Sequence, residues 1–134
     1  MRVIKTETLP IGDENDIVRV RQAVRRWAVD LRYTLTNQTK IVTAASEIAR
    51  NTLTHGFGGT FVMNIVTHDE RDGIRMNFSD KGPGISDIDL ALHDGYTTGS
   101  GLGLGLGGSK RLIDEFEIFS ELEKGTRVTL VHWK

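Results

Sequence analysis

Three groups of residues in this chain have types and spacings that could do chemistry. Glu47 and Asn51 are four apart in a segment with helical apolar spacing. At about 100° per residue they fall together along one edge of its inward stripe, next to Ala44. A carboxylate and an amide then point the same way, one turn apart. A helix-surface hydrogen bond is the plain reading of such a pair, but the small Ala44 and Ala45 beside it leave room for something to sit there. Asp80 is the second case. Ile74, Met76 and Phe78 share one face of a strand, and the two-residue period puts Asp80 on that same face. An unpaired buried charge is costly, so Asp80 needs a donor, unless the strand stops at Ser79 and Asp80 only starts the D-K-G-P-G turn.

The third group is the run G-S-G-L-G-L-G-L-G-G-S-K-R from Gly99 to Arg111. Its glycines let a backbone approach a ligand closely, and Leu102, Leu104 and Leu106 argue against a plain Gly/Ser linker. The segment Leu112-Ile113-x-x-Phe116 follows and reads as a helix. A glycine loop entering a helix N-terminus suits phosphates; a mobile surface loop is the plainer alternative. Three familiar nucleotide motifs are rejected. Gly103-x-Gly105-x-x-Gly108 fits G-x-G-x-x-G, but the segment before it is loop rather than a strand. Ser109 separates Gly108 from Lys110, which breaks the Walker spacing. Neither an H-R-D nor a D-F-G segment is present.

The elements that must position these residues follow from pattern. Val3 to Leu9 is a β-prone run closed by Pro10 and Gly12, an expected edge strand. Asp13 to Asp16 supply an N-cap and acidic first turn, followed by Ile17, Val20, Val24, Trp27, Ala28 and Leu31 at helical spacing. The other side of that helix carries Arg19, Arg21, Arg25, Arg26 and Arg32, a solvated basic face or a dock for an acidic partner. Thr36 or Asn37 caps a second helix, with Ile41, Ala44, Ala45, Ile48 and Thr52 inward, His55 a partly buried packing residue, and Gly56 as the C′ stop. Phe61–Thr67 and Ile74–Ser79 are strands around a turn at Asp69–Gly73. Asp87–Asp94 suggests a short helix, Leu112–Phe116 belongs to the helix after the glycine loop, and Ile118–Leu122 and Thr126–Trp133 form a hairpin. The order β, α, α, β, β, short α, α, β, β predicts an α+β two-layer sandwich, a mixed, mostly antiparallel sheet with helices on one face. Residues 1–134 read as a single domain.

Composition narrows the function. Lys+Arg is 17 and Asp+Glu is 18, so no nucleic-acid field is implied. With no cysteine, disulfides, thiolate metal sites and thiol nucleophiles are excluded. The start M-R-V-I-K-T lacks the apolar run of a signal peptide, and no segment is long enough to span a bilayer, so a soluble, cytoplasmic protein is expected.

With Glu47-x-x-x-Asn51, Asp80-x-Gly82-x-Gly84 and the loop from Gly101 in this order, the chain resembles the Bergerat-fold (GHKL) ATPases. S-E-I-A-R-N, D-K-G-P-G-I, G-L-G-L-G-L and K-R-L-I-D-E-F look like the small serine/threonine kinases of bacterial partner-switching systems, the stressosome switch kinases among them. The resemblance spans nearly the whole chain. It implies that Asn51 ligates Mg²⁺, that Glu47 is the general base for the incoming hydroxyl, and that Asp80 accepts the adenine amino group. It further implies that Gly82 and Gly84 let the chain pass close to the base, that Gly101, Leu102, Gly103, Leu104 and Gly105 form the phosphate loop, and that Ser86–Ser100 is a short lid. Thr129, in G-T-R-V-T, would support the adenine pocket beside Asp80. An arginine that a sporulation relative carries just before the glycine loop is absent here, where Thr98-Gly99-Ser100 stands, and Lys110 and Arg111 are the nearest cations.

The implied activity is ATP- and Mg²⁺-dependent phosphorylation of STAS-domain proteins on serine or threonine, followed by binding and activation of a PP2C-type phosphatase, without nucleic acid or membrane. Two rivals stand beside it: a histidine-kinase catalytic domain, disfavoured by the missing dimerisation helices, and an anti-sigma factor acting as a nucleotide-gated binding module.

Overall fold

The computed structural model describes residues 1–85, 88, 92 and 105–134. They form β1 (Arg2–Ile11), α1 (Glu14–Asp30), α2 (Leu35–Thr54), β2 (Gly59–His68), β3 (Arg71–Asp80), α3 (Gly105–Leu112), β4 (Glu115–Glu121) and β5 (Gly125–Trp133). The helix expected at Asp87–Asp94, the lid at Ser86–Ser100 and the loop residues Gly101–Leu104 lie outside the described residues, apart from one helical hydrogen bond from the Leu92 N–H to the Ile88 carbonyl (3.0 Å).

Local chemistry accounts for where the helices start. The Asp13 side chain accepts the Asp16 N–H, and Asp16 in turn accepts the Gly12 N–H at 2.8 Å and the Arg19 guanidinium at 2.6 Å. The second helix begins earlier than expected: Thr34, not Thr36 or Asn37, is its N-cap, and accepts the Asn37 N–H. Ile17, Val20, Val24, Trp27 and Ala28 of α1 and Ile41, Ala44, Ala45 and Ile48 of α2 are buried in one core. That core lies on the sheet face carrying Phe61, Met63, Ile74, Met76, Phe78, Val128 and Leu130.

The sheet order is β1-β2-β3-β5-β4, with β1 at an edge as expected. Every pairing is antiparallel, which corrects the expectation of a mixed sheet. The register explains why. β4 runs in the same direction as β3, but β5 turns back and inserts between them, so no parallel ladder forms. The β2–β3 turn is tighter than expected, with Asp69 and Glu70 both left-handed (φ 51° and 64°). Phe116 lies in β4 rather than in the preceding helix. That helix is instead built from the end of the glycine run: Leu106, Gly107, Gly108 and Ser109 are buried, and α3 packs on α2. Glycine is a poor helix former, so a reading by apolar periodicity passed over Gly107 and Gly108, which are helical and buried here.

Candidate functional site

Glu47 and Asn51 sit one turn apart on α2, as their spacing predicts. Glu47 is only 6% exposed and accepts no hydrogen bond among the described residues. The Asn51 side chain is half-buried and likewise has no partner among them. With neither group engaged among the described residues, both are open to a ligand.

Asp80 stands against the turn that follows α2. β3 runs through Asp80, so the reading in which the strand stops at Ser79 fails, and its carboxyl lies on the core face with Phe78. One oxygen is engaged: Oδ1 accepts the Gly82 N–H at 2.9 Å and the Thr126 N–H at 3.2 Å. Oδ2 accepts nothing among the described residues. Glycines are packed against this residue, one at its carboxyl and one at its main-chain carbonyl, so closely that side chains are excluded. A Cβ on Gly56 would lie 2.3 Å from Asp80 Cγ, and one on Gly125 (φ +117°) 2.1 Å from the Asp80 carbonyl oxygen. The arrangement holds a carboxylate firmly by one oxygen and leaves the other to accept a further N–H.

The remaining expected residues are placed as follows. Gly105 begins α3, so the glycine run does enter a helix N-terminus. Gly82 and Gly84 permit close approach, but the neighbours that a Cβ would strike are protein backbone: Gly56 at 2.7 Å and the Glu121 carbonyl at 2.5 Å. Thr129 is not beside Asp80. It pairs with Asn77, donates to its side-chain oxygen at 2.6 Å, and shares with it the sheet face opposite the helices. Strand parity puts Thr126 next to Asp80 instead, three residues earlier on β5. His55 caps the end of α2 and is exposed rather than partly buried. Lys110 and Arg111 are exposed on α3. The described residues hold no cluster of three metal-ligating acids, histidines or cysteines, and none of their helices is long and apolar enough to cross a membrane.

Residues 36–134 match the family described as histidine kinase-, DNA gyrase B-, and HSP90-like ATPase. The chain is 39% identical over 123 residues to serine/threonine-protein kinase RsbT of Bacillus subtilis, covering 92% of each. The chain belongs to this ATPase family, among its RsbT-like serine/threonine kinases. It is also 32% identical over 116 residues to an anti-sigma F factor of Oceanobacillus iheyensis, covering 81% of this chain and 77% of that one. Its fold is similar to the crystal structure of the RsbU and RsbW domains of a Mycobacterium tuberculosis protein, with a TM-score of 0.66 at 21% identity, over 98% of this chain and 33% of that one.

Within this ATPase fold, sequence reasoning missed Thr126, Gly56 and Gly125 as parts of the Asp80 corner. Gly125 and Thr126 were legible only as a hairpin turn and strand start. Had β5 been aligned against β3, counting back from the Asn77–Thr129 pair would have brought Thr126 opposite Asp80.

Proposed function

We propose that this kinase binds ATP with Mg²⁺, transfers the γ-phosphoryl group to a serine or threonine hydroxyl of STAS-domain stressosome proteins, and on release binds and activates a PP2C-type phosphatase. The observation that carries the reading is Glu47: a buried residue whose carboxylate has no donor among the described residues, one turn before Asn51, on the helix whose end rests against Asp80. In this reading Asp80 Oδ2 accepts the adenine amino group. Glu47 accepts the proton of the incoming hydroxyl as its oxygen bonds to phosphorus and the bond from phosphorus to the ADP oxygen breaks. Asn51 would hold Mg²⁺ through its side-chain oxygen, with phosphate and water oxygens as the other ligands, and the ion would neutralise charge on the phosphates. A single neutral protein ligand suits a metal that arrives with the nucleotide. Gly101–Gly105 would supply backbone N–H groups to the phosphates.

The outward side of α1 offers a surface for a protein partner. Arg26 and Arg19 are engaged with Glu7 and Asp16, whereas Arg21 and Arg25 are exposed and form no ion pair among the described residues. The place of action in this reading is the cytoplasm. The deciding experiment is incubation with ATP, Mg²⁺ and candidate STAS proteins, with phosphorylation read by mass. A phosphoserine or phosphothreonine on the STAS protein is the expected result, and absence of transfer to every candidate would reject it. Similarity to anti-sigma F factors favours a second reading, a nucleotide-gated inhibitor of a sigma factor. Co-purification of a sigma factor instead of a phosphatase would select it.

A further inference from the structure

Gly56 follows the C-cap of α2, where glycine usually serves to take a left-handed conformation. It does not do so here. The left-handed residues at this turn are Phe57 (φ 61°) and Gly58 (φ +99°), and Gly56 has an ordinary φ that alanine would accept. What excludes a side chain at Gly56 is Asp80: a Cβ would lie 2.3 Å from Cγ, 2.4 Å from Oδ2 and 2.5 Å from Cβ of that residue. On its other side a Cβ on Gly82 would lie 2.7 Å from the Gly56 Cα. Gly56 is therefore wedged between the Asp80 carboxyl and the turn whose N–H holds Oδ1. Its own N–H goes to the carbonyl of Asn51 at 3.2 Å, beside that of His55 at 2.9 Å. One residue thus joins the backbone of Asn51 to the side chain of Asp80.

We infer that Gly56 is a specificity-determining positioning residue of the nucleotide site, setting the Asp80 carboxylate against the end of α2 so that Oδ2 stays open to a purine amino group at a set spacing from Asn51. This rests on the reading that Asp80 accepts the adenine amino group. The discriminated class is purine nucleotides with an amino group at that ring position against those with a carbonyl, as in guanine. A side chain at Gly56 would push the carboxyl out of place and erode that preference, without touching the nucleotide itself.

The test is a cycle of Gly56→Ala, Asp80→Gly and the double variant, with ATP and GTP affinities by calorimetry and competition, and thermal unfolding of each. Glycine at position 80 is chosen because alanine would keep the Cβ that lies 2.5 Å from a Cβ on Gly56. Gly56→Ala is expected to weaken ATP binding about tenfold or more and GTP binding far less, so the ATP preference shrinks. In the Asp80→Gly background the same substitution should cost no further ATP affinity and no further melting temperature. Equal loss of both nucleotides, or additive losses in the cycle, would overturn the inference, since a merely structural glycine behaves that way. Should Gly56→Ala fail to fold, the double variant decides: one that folds as Asp80→Gly does supports the contact with Asp80, and one that is unfolded where Asp80→Gly folds refutes it. If Asp80→Gly leaves ATP affinity unchanged, the nucleotide reading itself falls. If Asp80→Gly loses ATP affinity and Gly56→Ala does not, only the role of Gly56 falls.

Discussion

β3 has a buried polar cluster at each end, and the two are built on opposite plans. At its start, the Tyr33 hydroxyl accepts the Ile74 N–H at 3.0 Å and donates to the His132 carbonyl. His132 in turn accepts the Asp114 N–H on Nδ1 at 3.2 Å, which leaves Nε2 as the protonated nitrogen, facing Asn37 Oδ1 at 3.0 Å. Each of these side-chain groups has its partner. At the far end, among the described residues, Asp80 keeps one oxygen without a donor, and the Glu47 and Asn51 side chains on α2 have no partner. Burial of polar groups is common to both ends; what separates them is whether hydrogen bonding is complete. A completed network ties together the α1–α2 turn, the start of α2 and β5. An incomplete one, held in place by close-packed glycine, is ready for a ligand.

Substitutions at the two ends should therefore separate chemistry from stability. The largest effect is expected from Glu47→Gln, which keeps size and hydrogen bonding but cannot accept a proton. Phosphoryl transfer should slow by roughly 10²–10⁴-fold with ATP binding retained, as single-turnover rates and calorimetry would show. A wild-type rate would leave positioning and electrostatics as the whole of the catalysis. Next is Asp80→Asn, which would lose the charge-assisted bond to the adenine amino group that the proposed function assigns to Asp80. ATP affinity should fall roughly ten- to hundredfold, while the parent protein binds GTP poorly. Equal ATP and GTP affinity in the parent would remove Asp80 from base recognition.

At the satisfied end the signature should be reversed. Tyr33→Phe strands the Ile74 N–H and the His132 carbonyl, costing about 1–3 kcal/mol of stability, and ATP affinity should be unaltered. Urea unfolding and calorimetry on the same sample would check both halves, and a loss of affinity would break the division between the two ends. The smallest effect is a pH dependence. Burial pushes the His132 imidazole below its usual value, with the Asp114 carboxylate opposing and Lys40 assisting. A base whose folded value is depressed binds its proton better in the unfolded chain. Its stabilising contribution is therefore complete above the unfolded value of about 6.5 and is lost as pH falls from there through the folded value. Melting temperature against pH should fall more steeply in the parent than in His132→Gln, and matching slopes would mean that the imidazole does not titrate on unfolding.

How much of this could be read without the fold depends on the range of the interaction. Helix faces, the Asp13 cap, the parity that puts Asp80 on the core side and the Glu47–Asn51 spacing follow from periods of 3.6 and 2 along the chain, and they hold. Thr34 displaced the two expected caps because several neighbouring residues have hydroxyl or amide side chains, and only the backbone path chooses among them.

The amino-acid order by itself determined which face of its own element each candidate residue occupies, since that depends on local geometry. Tertiary structure decided what stands across from them. β5 rather than β4 became the neighbour of β3, which turned the sheet antiparallel throughout, moved Thr129 to the far face and brought Thr126 to Asp80. The fold also gave Gly56 a second role, because contact between the end of α2 and the end of β3 joins positions 24 residues apart. Pairing partners and close backbone approaches are set by packing of the whole chain, and no short-range period encodes them.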